Sequence, residues 1–432
     1  MKQRISTLIL ALALLLSACA PASSGSSAFS PEDGPAQSLP AEPDHESISV
    51  PDSEPDPEPI VAHLMVAGDV MSHMPITNDA YVAATGEYDY SHMLSDAAEQ
   101  LARADYAVAN LETVLAGGPD YSGFPRFNSP DALAGDVLEA GFDLLSTANN
   151  HTRDQGINGI FRTLDVLDET GIAHVGTYRT QEERDENSGV YVADVGGVSV
   201  AFLSYTYGLN GFRLDSDKMF AVNLFNLDYY TTLSQPDYEL LTADLEAAKA
   251  METDLIAVII HWGVEYQNAP NAYQTDLARF LVGQGADLVL GGHPHVLQPY
   301  ETITATGPDG EEREGFVCYS LGNFISNQNF DDAKRDIAVK TTAVLDLELT
   351  RFPDGKAAVT AVSYTPYFML HRNSAAVGER RHLVDVHKAM AAYESGDSPL
   401  VNKSAYRDLQ NALAHCHAIL GEEGDAGYEK GA

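Results

Sequence analysis

Four apolar runs along the chain each end in a polar cluster. Residues 62–67 lead into Gly68-Asp69, and 142–148 into Asn149-Asn150-His151. Residues 254–260 lead into His261-Trp262-Gly263, and 286–290 into Gly291-Gly292-His293-Pro294-His295. Short apolar runs bounded by turn residues read as strands. Helical periodicity is predicted over 91–103, 129–140, 154–170, 237–251 and 273–284, with Ser129 as an N-cap and Pro130 at the first helical position. Short strands are predicted at 106–109 and 172–175, and a hairpin at 190–194 and 198–204 through Gly196-Gly197. Later the pattern turns to strands alone, at 316–320, 337–349 and 357–364, before helices over 378–421. Two β-rich halves flank an α/β alternation. This predicts an α/β fold, a four-layer αββα sandwich with C-terminal helices, rather than one parallel sheet.

In open α/β sheets ligands bind outside the carboxyl ends of the strands. That edge is where the four clusters fall. Asp69 offers a hard carboxylate after a glycine turn. Asn110-Leu111-Glu112 follows the strand at 106–109, with Asn110 and Glu112 on one side of an extended segment. Asn149, Asn150 and His151 need hydrogen-bond or metal partners at a sheet edge, and Asp154 and Gly156 carry their loop into a helix. His261 is followed by Trp262, the only Trp, and by Glu265. In an extended, Pro-restricted segment His293 and His295 point the same way and reach one site. Neutral imidazoles and carboxylates together make a divalent-metal centre the leading expectation. The histidines at 382, 387, 415 and 417 lack ligand spacing and are expected to play ordinary surface roles. The Gly-Asn turn ending at Asn323 is a further candidate lining element.

Composition narrows the partners. The 432 residues are 44% apolar, enough for one large domain with accessory segments. Formal net charge is −38, from 63 acidic and 25 basic residues. Nucleic acid is excluded as a partner, because phosphate binding needs a basic footprint. An anionic substrate needs local help from a metal or a few arginines. At the N-terminus, Lys2 and Arg4 precede an apolar stretch at 5–16 that is short for a permanent bilayer span. Leu16-Ser17-Ala18-Cys19 resembles a bacterial lipobox, which implies a signal peptide at 1–18 and lipidation at Cys19. Residues 19–59 are rich in Pro, Ser and acidic residues and read as an extended tether. Cys318 and Cys416 lack any spacing that argues for pairing. The expected domains are the signal, the tether, a catalytic domain at 60–370 and a helical extension at 371–432.

Six motifs in order resemble the CapA family of poly-γ-glutamate capsule biosynthesis proteins. They are Gly68-Asp69-Val70-Met71; Asn110-Leu111-Glu112; Asn149-Asn150-His151 with Asp154 and Gly156; His261-Trp262-Gly263 with Glu265; Gly292-His293-Pro294-His295; and Ser320-Leu321-Gly322-Asn323-Phe324. That family is similar in fold to the calcineurin-like metallophosphoesterases. The resemblance implies metal ligands at Asp69, Glu112, Asn150, His261, His293 and His295, with Glu112 as the bridging carboxylate. It implies His151 as the catalytic histidine, with His295 as a second catalytic candidate. Asn110, Asn149, Asp154, Trp262, Glu265 and Asn323 are the candidate substrate contacts. Met71 departs from the pattern, standing where the first ligand His is expected. The implied cofactor is a divalent ion, Mn, Zn or Fe. The implied protein sits lipid-anchored on the outer face of the bacterial membrane. It acts on a phosphoester or γ-glutamyl bond of an anionic surface polymer or its precursor. A second reading is a non-catalytic polymer-binding or export subunit working with membrane synthase subunits.

Overall fold

The computed structural model describes residues 58–427. The signal at 1–18, Cys19 and the tether through 57 lie outside the described residues. Two sheets stack face to face. The first has eight strands, ordered Arg381–Asp385, Ala357–His371, Thr341–Arg351, Ile60–Val70, Tyr106–Leu111, Leu144–Ser146 and Ala173–Val175, with Asn323–Ile325 paired to Ile60–Val70 off this path. The second has six, ordered Leu297–Thr306, Glu312–Leu321, Leu288–Gly292, Leu255–His261, Val198–Thr206 and Tyr191–Val195.

The apolar faces explain the layering. Leu64, Val66, Leu345 and Leu347 of the first sheet pack against Val200, Phe202, Ala257 and Leu288 of the second. Side chains alternate across a strand, so neighbours such as Met65 and Ala67 point outward, into a core shared with the helices Ser91–Leu101 and Ala132–Glu139. On the far side Ile256, Val258 and Ile260 meet Leu241, Leu245, Leu277 and Leu281 of Tyr238–Lys249 and Ala272–Gly283. The result is the expected αββα sandwich.

The parallel register aligns the site. Asp69 is opposite both Asn110 and Asn323, and Asn110 is opposite Ser146. In the second sheet His261 is opposite Gly292 and Thr206. Both sheets therefore deliver their polar strand ends to one edge. Glycines let the backbones come this close. A Cβ on Gly68 would lie 2.0 Å from the Gly322 carbonyl oxygen, and one on Gly291 would lie 2.1 Å from that of Tyr319.

Several local expectations need correction. The helix expected over 129–140 begins at Ala132 after Asp131; Ser129 does not cap it, and its hydroxyl is engaged with Thr113 at 2.6 Å. Residues Ala333–Lys340 form a helix rather than strand, capped by Asp332 on the Arg335 N–H and braced by a Lys340–Asp336 pair at 2.6 Å. The segment 378–421 is not all helix. Arg381–Asp385 is an edge strand of the first sheet, and only then follow the helices Val386–Ser395 and Lys403–Leu420. Cys318 and Cys416 are buried free thiols in the inter-sheet core. No helix among the described residues is long and apolar enough to cross a membrane.

Candidate metal centre

The strand ends gather six buried ionisable groups: Asp69, Glu112, His151, His261, His293 and His295. Two ligand sets emerge, each with donor atoms mutually within 4.8 Å: Asp69, Glu112 and His261, and Glu112, His293 and His295. Glu112 belongs to both. His261 Nε2 lies 3.4 Å from Glu112 Oε1 and 2.9 Å from Asn150 Oδ1. His295 Nδ1 lies 3.6 Å from Asp69 Oδ2 and 3.9 Å from Glu112 Oε2.

These residues fit a cation. Both Glu112 oxygens, His293 Nδ1 and His295 Nδ1 are buried with no hydrogen-bond partner. A buried carboxylate left this way is costly unless it is paired or coordinates a metal. Burial, reinforced by Asp69, holds the Glu112 carboxyl well above its ordinary range. Burial also opposes ionisation of Asp69, yet His295 and His261 outweigh it and keep that carboxyl low. Burial pushes His261 down to about 4. It drives His293 well below its usual value too, helped by the neighbouring His261 and His295. Both imidazoles are therefore neutral, the ligand form. His295 differs: burial lowers it, but Glu112 and Asp69 prevail and raise it.

The His293-Pro294-His295 segment is not extended as expected. His293 has φ +97° and His295 φ +57°, conformations that L-residues rarely adopt. The strained turn brings the two rings to 5.8 Å and points the His293 N–H at Asp69 Oδ2, 3.2 Å away. Such strain persists only where surroundings impose it, and it clusters at functional sites. Asn323 helps impose it, donating from Nδ2 to the His295 carbonyl at 3.3 Å and to that of Val339 at 3.0 Å.

The remaining candidates sort by contact. Asn110 donates to Asp69 Oδ1 at 2.8 Å. Asn149 donates to Asn110 Oδ1 and to the Leu111 carbonyl, while its own Oδ1 receives the His151 N–H at 3.1 Å. Both amides are scaffolding behind the ligands. Asp154 Oδ2 lies 2.7 Å from His151 Nδ1 and accepts the Phe127 N–H at 2.6 Å, so this carboxylate orients the histidine and does not face substrate. Glu265 is exposed, and its charge acts on His261 and His295. Trp262 is a correction. Its ring is fully buried against Tyr319 and its Nε1 donates to the Tyr319 carbonyl at 2.9 Å, so it belongs to the core.

Other residues come from loops that strand-end reasoning missed. Tyr207 stacks parallel to His261 and tilts over His293 at 4.7 Å. Asn210 holds Asn150 through Oδ1 at 3.1 Å and places Nδ2 3.4 Å from His151 Nδ1. Phe127 sets its edge against His151 at 4.7 Å and meets His73 at 5.1 Å. Buried Met71 carries no donor for a hard ion, whereas His73 lies two residues on. The histidines at 387 and 417 are not ordinary surface groups either: each places Nε2 2.8 Å from Asp425 Oδ2.

A family model for the bacterial capsule synthesis protein PGA_cap matches residues 63–328. The capsule biosynthesis protein CapA of Bacillus anthracis is 29% identical over 281 residues, covering 62% of this chain and 63% of that one. The PGA biosynthesis protein CapA of Bacillus subtilis (strain 168) is 30% identical over 226 residues, 52% of each chain. The chain thus spans between about half and 63% of the length of these relatives. Among solved structures, calcineurin-like phosphoesterase YfkN from Bacillus subtilis is 14% identical, covers 82% of this chain and 97% of its own, and has a TM-score of 0.36. The family match runs from the first core strand to just past the Asn323 turn, taking in every strand end of the candidate centre, and the chain belongs to the PGA_cap family of bacterial capsule synthesis proteins.

Proposed function

We propose that this chain is a metal-dependent hydrolase of anionic surface-polymer synthesis, anchored through a lipid on Cys19 to the outer face of the bacterial membrane. Its substrate bond is a phosphoester or a γ-glutamyl amide. The names of the two CapA relatives support the capsule context. The observation that carries the catalytic reading is Glu112, shared by two ligand sets with both oxygens free of hydrogen bonds.

Asp69, Glu112 and His261 would hold one ion, with Asn150 beside them; Glu112, His293 and His295 would hold a second. A bound divalent ion supplies Lewis acidity and acidifies water. The protein supplies the rest. Asp154 holds His151 through Nδ1 and orients its ring, which leaves Nε2 to deliver a proton to the leaving group. Tyr207 and Phe127 wall the histidines against solvent, which strengthens charge interactions inside the site. The cations also offset the repulsion between a chain of net charge −38 and a polyanion.

The test is turnover by the full-length protein after Mn or Zn loading, using bis(p-nitrophenyl) phosphate and a γ-glutamyl p-nitroanilide. One substrate should be cleaved, with the rate abolished by chelator and reduced about 10²–10⁴-fold by His151→Ala. Failure with both substrates by fully loaded protein, together with capture of membrane synthase subunits, would replace this reading with the non-catalytic one.

A further inference from the structure

We propose that Arg126 and Arg153 form a subsite beside His151 for a second oxyanion, a carboxylate or phosphate on the departing part of the substrate. The proposal rests on the catalytic reading above and specifies its substrate class.

The arginines converge through one ring. Their guanidinium carbons lie 5.6 and 5.8 Å from the centroid of Phe212. Phe212 belongs to the same loop as Asn210, whose amide nitrogen lies within 3.5 Å of both His151 ring nitrogens. Arg126 precedes Phe127, the ring set edge-on against His151. Arg153 follows His151 by two residues. The pair is therefore tied to the histidine assigned to protonate the leaving group.

Neither guanidinium is paired with a carboxylate among the described residues. Arg162, Arg179 and Arg184, by contrast, are paired with Asp131, with Asp165 and Asp168, and with Asp244. Other arginines, such as Arg335 and Arg381, also lack a carboxylate partner among the described residues; what sets Arg126 and Arg153 apart is their convergence on Phe212 beside His151. Arg126 spends Nε and one terminal nitrogen on the Asp154 carbonyl, at 2.9 and 2.6 Å, which fixes its plane and leaves the other terminal nitrogen to donate. The Arg153 Nε is buried and has no partner. A buried donor without an acceptor is costly, and a ligand oxygen answers it. Planar guanidinium forks on an aromatic face suit bidentate recognition of carboxylate or phosphate.

The experiment is calorimetric binding to the full-length, metal-loaded protein, with metal content read on every sample. The probes are a γ-linked tetraglutamate, its α-carboxamide analogue and glycerol phosphate. Wild type should bind either the tetraglutamate or glycerol phosphate. Which one it binds identifies the oxyanion. Affinity for that probe should fall about 10-fold or more in Arg153→Gln and about 100-fold in Arg126→Gln/Arg153→Gln. Arg153→Gln leaves the Arg126–Asp154 contact in place and serves as the variant that keeps the fold. The double Lys variant should recover part of the loss. If tetraglutamate is the ligand, its carboxamide analogue should bind wild type no better than the double variant binds tetraglutamate. Equal affinities in wild type and double variant, or no binding of either anion to wild type, overturns the subsite. Loss of metal without change in these ratios would instead count against the metal centre alone.

Discussion

Glu112→Gln isolates the metal centre from the fold, because it should move stability in opposite directions with and without metal. In the metal-free protein Glu112 is a buried carboxylate without a hydrogen bond, facing the Asp69 charge. Its folded-state pKa is raised from the ordinary 4.5. The stability contributed by its protonated form is thus complete below that value and is lost as pH rises through the folded one. At neutral pH the wild-type apoprotein carries this penalty and the Gln variant does not. An unsatisfied buried polar group costs about 1–3 kcal/mol. With an unfolding entropy of about 2.1 cal/mol/K per residue, the 370 described residues convert 1 kcal/mol into roughly 1.3 °C. Chelated Glu112→Gln should therefore melt about 1–4 °C above chelated wild type. Two ions, each at 100 times its Kd, should together stabilise wild type by about 5.4 kcal/mol, or roughly 7 °C, and leave the variant unmoved. Scanning calorimetry of both proteins with EDTA and with Mn reads both effects. A Gln variant that melts lower without metal and keeps the full metal response would refute the role given to Glu112.

Three further outcomes follow from the same contacts. Asp154→Asn should keep bound metal but lower turnover about 10²–10⁴-fold, since His151 loses the carboxylate that orients it; parallel metal analysis and kinetics separate the two. His295 is raised above its ordinary 6.5, so its protonated form stabilises the apoprotein fully below that pH and the contribution is lost above it. Metal affinity should consequently climb as pH rises from 6.5, with proton release visible as a dependence of binding enthalpy on buffer. Gly291→Ala should prevent folding, because the new Cβ would meet the Tyr319 carbonyl at 2.1 Å on rigid backbone; soluble, cooperatively melting protein would contradict the tight inter-strand approach.

The layered fold and the site edge were legible because both rest on local pattern. The buried run ending at His261 and the run ending at Asp69 mark parallel strands whose carboxyl ends share one side. What strand-end logic could not supply comes from chain segments distant in sequence. Arg126, Asn210 and Phe212 reach the centre from irregular loops with no periodic signature, whereas Tyr207 directly follows the strand Val198–Thr206. The positive φ of His293 and His295 is imposed by contacts such as Asn323 to the His295 carbonyl, so the local pattern favoured an extended segment instead. Trp262 was misplaced because alternation after His261 turns it into the outer core. The edge strand Arg381–Asp385 was hidden by the helix Val386–Ser395 that follows it directly, and is fixed by pairing with Tyr367 through His371.

The most direct test is the metal stoichiometry of full-length protein by elemental mass spectrometry, comparing wild type, His293→Ala and Glu112→Gln after identical loading. The two ligand sets joined at Glu112 call for about two equivalents of divalent metal in wild type, about one in His293→Ala and none retained in Glu112→Gln. No metal in wild type, or equal metal in all three proteins, would contradict a centre built on Glu112.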